Sequence, residues 1–167
     1  MITIKSTLSQ KDVQKGLYTM MMFNLAHRGM KYFGIGMISL GLIRIITEYL
    51  ENHQFVFDFP LFFIGFVLLY YHKGVAYYSA KKLFNSKNFI TESATYEFSE
   101  SDMSVVGETY NSKMAWGKIH LVRESNEFIF IYLSFNTAHI IPKRFFDDES
   151  YNGLLKILAV NNCAIKK

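Results

Sequence analysis

Two long apolar runs interrupt an otherwise mixed pattern of hydrophobic and polar positions. The first, Tyr32–Leu50, reads YFGIGMISLGLIRIITEYL. At the helical rise it is about 28 Å long, close to the hydrocarbon thickness of a bilayer. The second, Phe55–Tyr71, reads FVFDFPLFFIGFVLLYY and extends at lower hydrophobicity toward Tyr78. Pro60 lies near its start, where the missing N–H costs least. Two neighbouring runs of this length exceed what a soluble domain of 167 residues needs for its core, and the pattern predicts a two-helix transmembrane hairpin over 32–78. A signal peptide is a poorer reading, because the first run starts far into the chain and a second follows it.

Upstream, Ile2-Thr3-Ile4-Lys5 alternates like a short strand. Ser9-Gln10-Lys11-Asp12 has the form of a capping box, which predicts a helix starting near Gln10. That helix should run through Met20–Phe23 along the membrane surface, with Gly29 as a bend, so 1–31 reads as an N-terminal strand and interfacial helix. From Ser93 the period becomes two. Ala94, Tyr96 and Phe98 alternate with polar neighbours, and Ser99–Asp102 reads as a turn. Met103–Tyr110 is a second strand, with a turn at Asn111-Ser112-Lys113. Leu121–Glu124 and Glu127–Leu133 form a hairpin at Ser125-Asn126, and Ala138–Ile141 is a last strand closed by Pro142. Tyr151, Leu154, Leu155 and Leu158 make one helical stripe, capped by Asp147 or Asp148. The expected fold class is an α+β membrane protein: a transmembrane hairpin and a small antiparallel β domain, 93–161, closed by a C-terminal helix.

Charge orients the hairpin. Lys5, Lys11, Lys15, Arg28 and Lys31 precede it, and Lys73, Lys81, Lys82 and Lys87 follow it. Between Ile45 and His72 there is no Lys or Arg, only Glu48, Glu51 and Asp58. The positive-inside rule therefore puts both termini in the cytoplasm and Glu51–Gln54 outside. Tyr32, Phe33, Tyr49, Phe55, Phe57, Tyr70 and Tyr71 suit interfacial belts.

Arg44 is the one cation inside the first run and marks a candidate intramembrane functional residue. Snorkelling, or pairing with Glu48 one turn on, is the structural reading; contact between copies, or transport, is the functional one. Gly34 and Gly41 share a face, with Gly36 and Ser39 nearby, and suit close packing of the two helices. Lys73, Lys81 and Lys82 either signal topology or meet anionic headgroups.

Half the residues are hydrophobic, 17% are aromatic and 19% are charged, and the formal net charge is +4. That charge is too weak and dispersed to argue for nucleic acid. The five histidines lack metal-ligand spacing, Cys163 is a single cysteine, and no nucleophile motif or phosphate-binding glycine loop is present. The expectation is a non-enzymatic chain with no cofactor, no metal and no small-molecule substrate.

The order of segments, together with Tyr96-Glu97-Phe98-Ser99, Trp116-Gly117-Lys118-Ile119 and Ile140-Ile141-Pro142-Lys143-Arg144-Phe145-Phe146, resembles the YcxB-like family of bacterial membrane proteins across nearly the whole chain. The most specific pieces are W-x-x-I at Trp116 and Ile119, and I-P-K-R at Ile141, Pro142, Lys143 and Arg144 with Phe146 beyond. Gly117 departs from the polar residue often found at its position. The resemblance implies a β domain related to pleckstrin-homology-like (PH-like) folds and a place in the bacterial plasma membrane, and it implies no particular activity. Trp116, Ile119, Pro142 and Phe146 read as packing residues, whereas Lys143 and Arg144 are candidate contacts to lipid phosphate or an acidic partner. The expected role is a membrane-anchored interaction module with the bilayer and a protein partner or second copy as contacts. The alternatives are an accessory subunit of a larger membrane complex and, third, a small transport or immunity-type membrane protein.

Overall fold

The computed structural model describes residues 1–86, 92–135, 137–163 and 165–166. Lys87, one of the orienting lysines, lies outside the described residues. The chain divides into two compact units, Met1–Gly16 with Ala80–Lys167, and Leu17–Ser79.

The first unit carries two four-stranded sheets. One has the order β1-β2-β3-β4, formed by Ile2–Ser6, Ala94–Phe98, Asp102–Val106 and Asn111–Ala115. All its neighbours are antiparallel. Alternation drives this sheet: Ala94, Tyr96, Phe98, Met103 and Val105 face inward and are buried. The other has the order β7-β6-β5-β8, formed by Thr137–Pro142, Phe128–Ser134, Leu121–Glu124 and Ile165–Lys166. Here β5, β6 and β7 are antiparallel, while β8 runs parallel to β5. Helix α4, Asp148–Val160, buries Leu154 and Leu158 in the core with Ile129, Ile131, Ile141 and Trp116. The Asp147 carboxylate caps it, accepting from the Ser150 amide at 2.7 Å.

Three findings differ from the expectation. Strand β1 is not an element of a separate N-terminal segment: it lies beside β2, with Ile2 opposite Phe98 and Ser6 opposite Ala94. The second strand ends at Val106, and the turn lies at Gly107–Tyr110, where the Gly107 amide donates to the Tyr110 carbonyl at 2.8 Å. Asn111-Ser112-Lys113, expected as a turn, opens the strand β4, Asn111–Ala115, because polar residues are tolerated on an exposed edge. The tail adds β8, whose Ile165 packs against the core.

Helix α1, Gln10–Met22, begins where the capping box places it. Its first turns pack on protein. Val13 is buried, and Gly16 sits so close to Ile140 that a Cβ there would be 2.6 Å from its Cγ2. Ile140 is opposite Phe130 in the β6–β7 register, so Phe130 faces the same way. This accounts for the burial of β6 on both faces.

The second unit is dominated by α2, Leu25–Asn52, and most of α3, Phe59–Asn85. The break before α2 falls at Asn24, whose side chain accepts from the Ala26 amide at 2.9 Å, and the helix runs on through Gly29 without interruption. Both helices are long and apolar enough to cross a membrane, at about 40 Å each. Most of their large apolar side chains are exposed, Leu42, Ile43, Phe63 and Phe66 among them. Gly34 packs against Gly65: a Cβ on either would lie 2.9 Å from the carbonyl oxygen of the other. Gly41 meets the Phe62 ring. The glycine face expected on the first apolar run is therefore the seam of the hairpin.

Candidate functional site

The I-P-K-R segment begins in β7 and ends in a 3₁₀ turn, Lys143–Phe145. Ile141 is fully buried, and Pro142 is the last residue of the strand. Pro fits here because β7 is an edge strand. The two cations that follow are aimed at carboxylates of the same unit.

Arg144 donates from both terminal nitrogens to Asp12, Nη1 to Oδ1 at 2.6 Å and Nη2 to Oδ2 at 2.7 Å. Asp12 also accepts from the Ser9 amide at 2.8 Å and the Ser9 hydroxyl at 2.6 Å, while its own amide donates to Ser9 Oγ. A fork of two parallel N–H donors on a carboxylate is strong and orientation-specific. The Asp12 side chain is only 8% exposed, whereas that of Arg144 is 54% exposed. The Arg144 guanidinium, helped by Ser9 and opposed by burial, holds the Asp12 carboxyl well below the usual carboxylate range.

Lys143 pairs with Glu124 of β5 and lies 5.4 Å from the Tyr151 ring centroid. The Tyr151 hydroxyl donates to the same Glu124 oxygen at 2.5 Å, which pushes its pKa up to about 12. Lys143 and Arg144 are therefore engaged within the domain, with the Arg144 side chain still half exposed. Sequence gave no cue to this: Asp12 lies 132 residues from Arg144, and its capping-box role already accounted for it.

The other motif residues form the packing around them. Trp116 is buried at the start of a 3₁₀ turn, Trp116–Lys118, and its Nε1 donates to the Ser99 carbonyl at 2.9 Å. Phe98 stacks between Trp116 and Phe146, with ring centroids 6.3 and 6.2 Å away. Phe146 meets Tyr151 edge-on, and Ile119 packs partly buried against the same core. The two motifs thus converge on one aromatic column.

Residues 98–158, from the end of β2 to near the end of α4, match the family model described as YcxB-like protein. This segment is YcxB-like. The match is shorter than the near-whole-chain resemblance read from the sequence. The YcxB-like segment also takes two of its structural partners, β1 and Asp12, from outside its own limits. Comparison with curated proteins and with solved structures gives no match.

In the hairpin, Arg44 donates to Asp58 at 2.5 Å, with side-chain exposures of 56% and 14%. Glu48, the expected partner, instead accepts from Asn52 at 3.0 Å. Asp58 stands next to the first turn of α3, where a carboxylate is also favoured by the helix dipole. Toward the other end, His27 and His72 meet across the helices with 3.0 Å between Nδ1 and Nε2. Their separation of 45 residues gave no spacing signal in the sequence. Lys73, Lys81 and Lys82 are exposed, and Lys73 lies 5.4 Å from the Tyr70 ring centroid. Among the described residues no group of three His, Cys, Asp or Glu side chains is placed to hold a metal ion.

Proposed function

We infer that this chain is a membrane-anchored interaction module. The hairpin spans the bacterial plasma membrane, both termini are cytoplasmic, and the β domain, with a PH-like arrangement, offers its outer surface to a protein partner. The observation that carries this reading is the antiparallel pairing of β1 with β2 on either side of the hairpin in sequence. Strands of one sheet occupy one side of a membrane, so the chain between Ser6 and Ala94 crosses it an even number of times. Two helices of spanning length with exposed apolar flanks fit that count. The cation-free stretch between Ile45 and His72 fits the orientation. Two sheets closed by a C-terminal helix support the PH-like reading of the domain.

The site favours binding over chemistry. Its charges, Arg144 with Asp12 and Lys143 with Glu124, pair with one another and hold elements in place. The pairing of Arg44 with Asp58 likewise favours a structural role over transport. An accessory-subunit role is the second reading, favoured by the seam glycines leaving the outer faces of both helices free for neighbours.

The test is a pull-down of the tagged chain from native membranes in mild detergent, with mass spectrometry and thiol-labelling of cysteines placed at Lys5 and His53. Opposite labelling of the two positions in sealed vesicles is expected, with a partner that survives loss of the hairpin's outer-face side chains. Equal labelling of both positions would refute the topology. A partner lost on altering those outer faces would move the conclusion to the subunit reading.

A further inference from the structure

At the base of the hairpin His27 of α2 meets His72 of α3. The rings are nearly perpendicular, with centroids 4.9 Å apart and 3.0 Å between His27 Nδ1 and His72 Nε2. This is the distance of an N–H···N hydrogen bond, which needs one nitrogen protonated and the other bare. His72 is 1% exposed, and its Nδ1 is buried with no hydrogen-bond partner among the described residues. Putting its proton on Nε2 lets it donate to His27 and leaves a bare lone pair, not an unmet N–H, at the buried nitrogen. His27 then accepts at Nδ1 and carries its own proton on Nε2.

We propose that the His27–His72 bond is a proton-sensitive latch that holds the base of the hairpin closed when both rings are neutral and releases it when a proton is added to the His27 nitrogen that accepts the bond. Protonating His27 at Nδ1 puts two N–H donors face to face at 3.0 Å. Protonating His72 at Nδ1 creates a buried cation with an unmet donor. The groups that act on His72 do not relieve it. These are His27 and Lys31 from α2, with the Tyr71 ring beside it on its own helix. None is anionic at neutral pH, and Lys31 adds repulsion. Imidazole is the side chain whose ordinary pKa makes such a change possible near physiological pH.

The rest of the hairpin is built to stay in place while the base moves. The contact between Gly34 and Gly65 lies two turns from the latch on each helix, about 10 Å along the axis. Beyond it Arg44 and Asp58 tie the far end. Neither contact involves an imidazole, so acidification spreads the helices below a fixed pivot.

Double electron–electron resonance on the full chain in lipid vesicles tests this, with Cys163→Ser and nitroxides at Leu25→Cys and Tyr78→Cys, both exposed positions. Between about pH 8 and about pH 5 the separation in the His-His chain should lengthen by about 3 Å or more, room for one intervening water. His27→Gln supplies a partner that does not titrate, and His72→Gln is the second variant; each should hold the separation constant across that range. An unchanged separation in the His-His chain, or an equal lengthening in both Gln variants, would overturn the latch.

Discussion

Arg144→Gln removes the guanidinium fork while keeping a side chain of similar reach, and its effect follows from the geometry around Asp12. The carboxylate keeps its Ser9 amide and hydroxyl but loses both charge-assisted bonds. Each such bond contributes about 1.5–3 kcal/mol. Because the Arg144 side chain is half exposed, solvent screening cuts that sum, and about 2 kcal/mol is the working figure for the pair. The loss falls on the docking of α1, since Asp12 is on its first turn. Amide hydrogen exchange in Val13–Gly16 of the full chain should therefore accelerate about 30-fold, with little change in β6. Asp12→Asn should have a similar effect. The double variant should lose less than the two singles together, because each single already breaks the same contact. The sign with pH is fixed by the lowered Asp12 pKa: the contribution is complete above the unfolded carboxyl value, about 3.9, and fades only as pH falls through the lower folded value. Unchanged exchange in Arg144→Gln at neutral pH, or strictly additive variants, would refute the clamp.

Three further outcomes are expected. Gly65→Val places methyls against the Gly34 carbonyl and Ile38, and should destabilise the hairpin by about 1–3 kcal/mol, read as a lower aggregation temperature in detergent. Trp116→Phe strands the Ser99 carbonyl and leaves a gap in the aromatic column, costing about 2 kcal/mol, or roughly 5 °C by thermal melting followed in near-UV circular dichroism. Arg44→Leu leaves the mostly buried Asp58 carboxylate unpaired and should lower the yield of folded chain, whereas Arg44→Leu with Asp58→Asn should restore it; an unrestored double variant would give Arg44 a role beyond this pair.

What was legible in the sequence was whatever period and local chemistry encode. The alternation at Ala94, Tyr96 and Phe98, the stripe from Tyr151 to Leu158 and the Ser9–Asp12 box each appear where their spacing places them. The glycine seam was readable from Gly34 and Gly41, but Gly65, its closest partner, was hidden in a run of aromatics. Long-range pairing was the part that spacing does not encode. Spacing offers Arg44 snorkelling or Glu48 one helical turn on, yet the chain folds back and supplies Asp58. Lys143 and Arg144 looked like surface charges because nothing local neutralises them. Their carboxylates come from β5 and from a helix at the opposite end of the sequence.

The pairing of β1 with β2 also sets an order of events during synthesis. Strand β1 leaves the ribosome first but has no neighbour until Ala94 emerges, after both long helices have been made. At about 5–20 residues per second, that is a wait of roughly 4–17 s. Through that interval Ile4 has no sheet to join, and its burial waits for β2. The first sheet therefore closes late, and on the proposed topology it would act as a proofreading step on the delivery of the hairpin: a nascent chain whose leading strand had been carried across, or whose second helix had failed to return, would have no edge on which to complete its core.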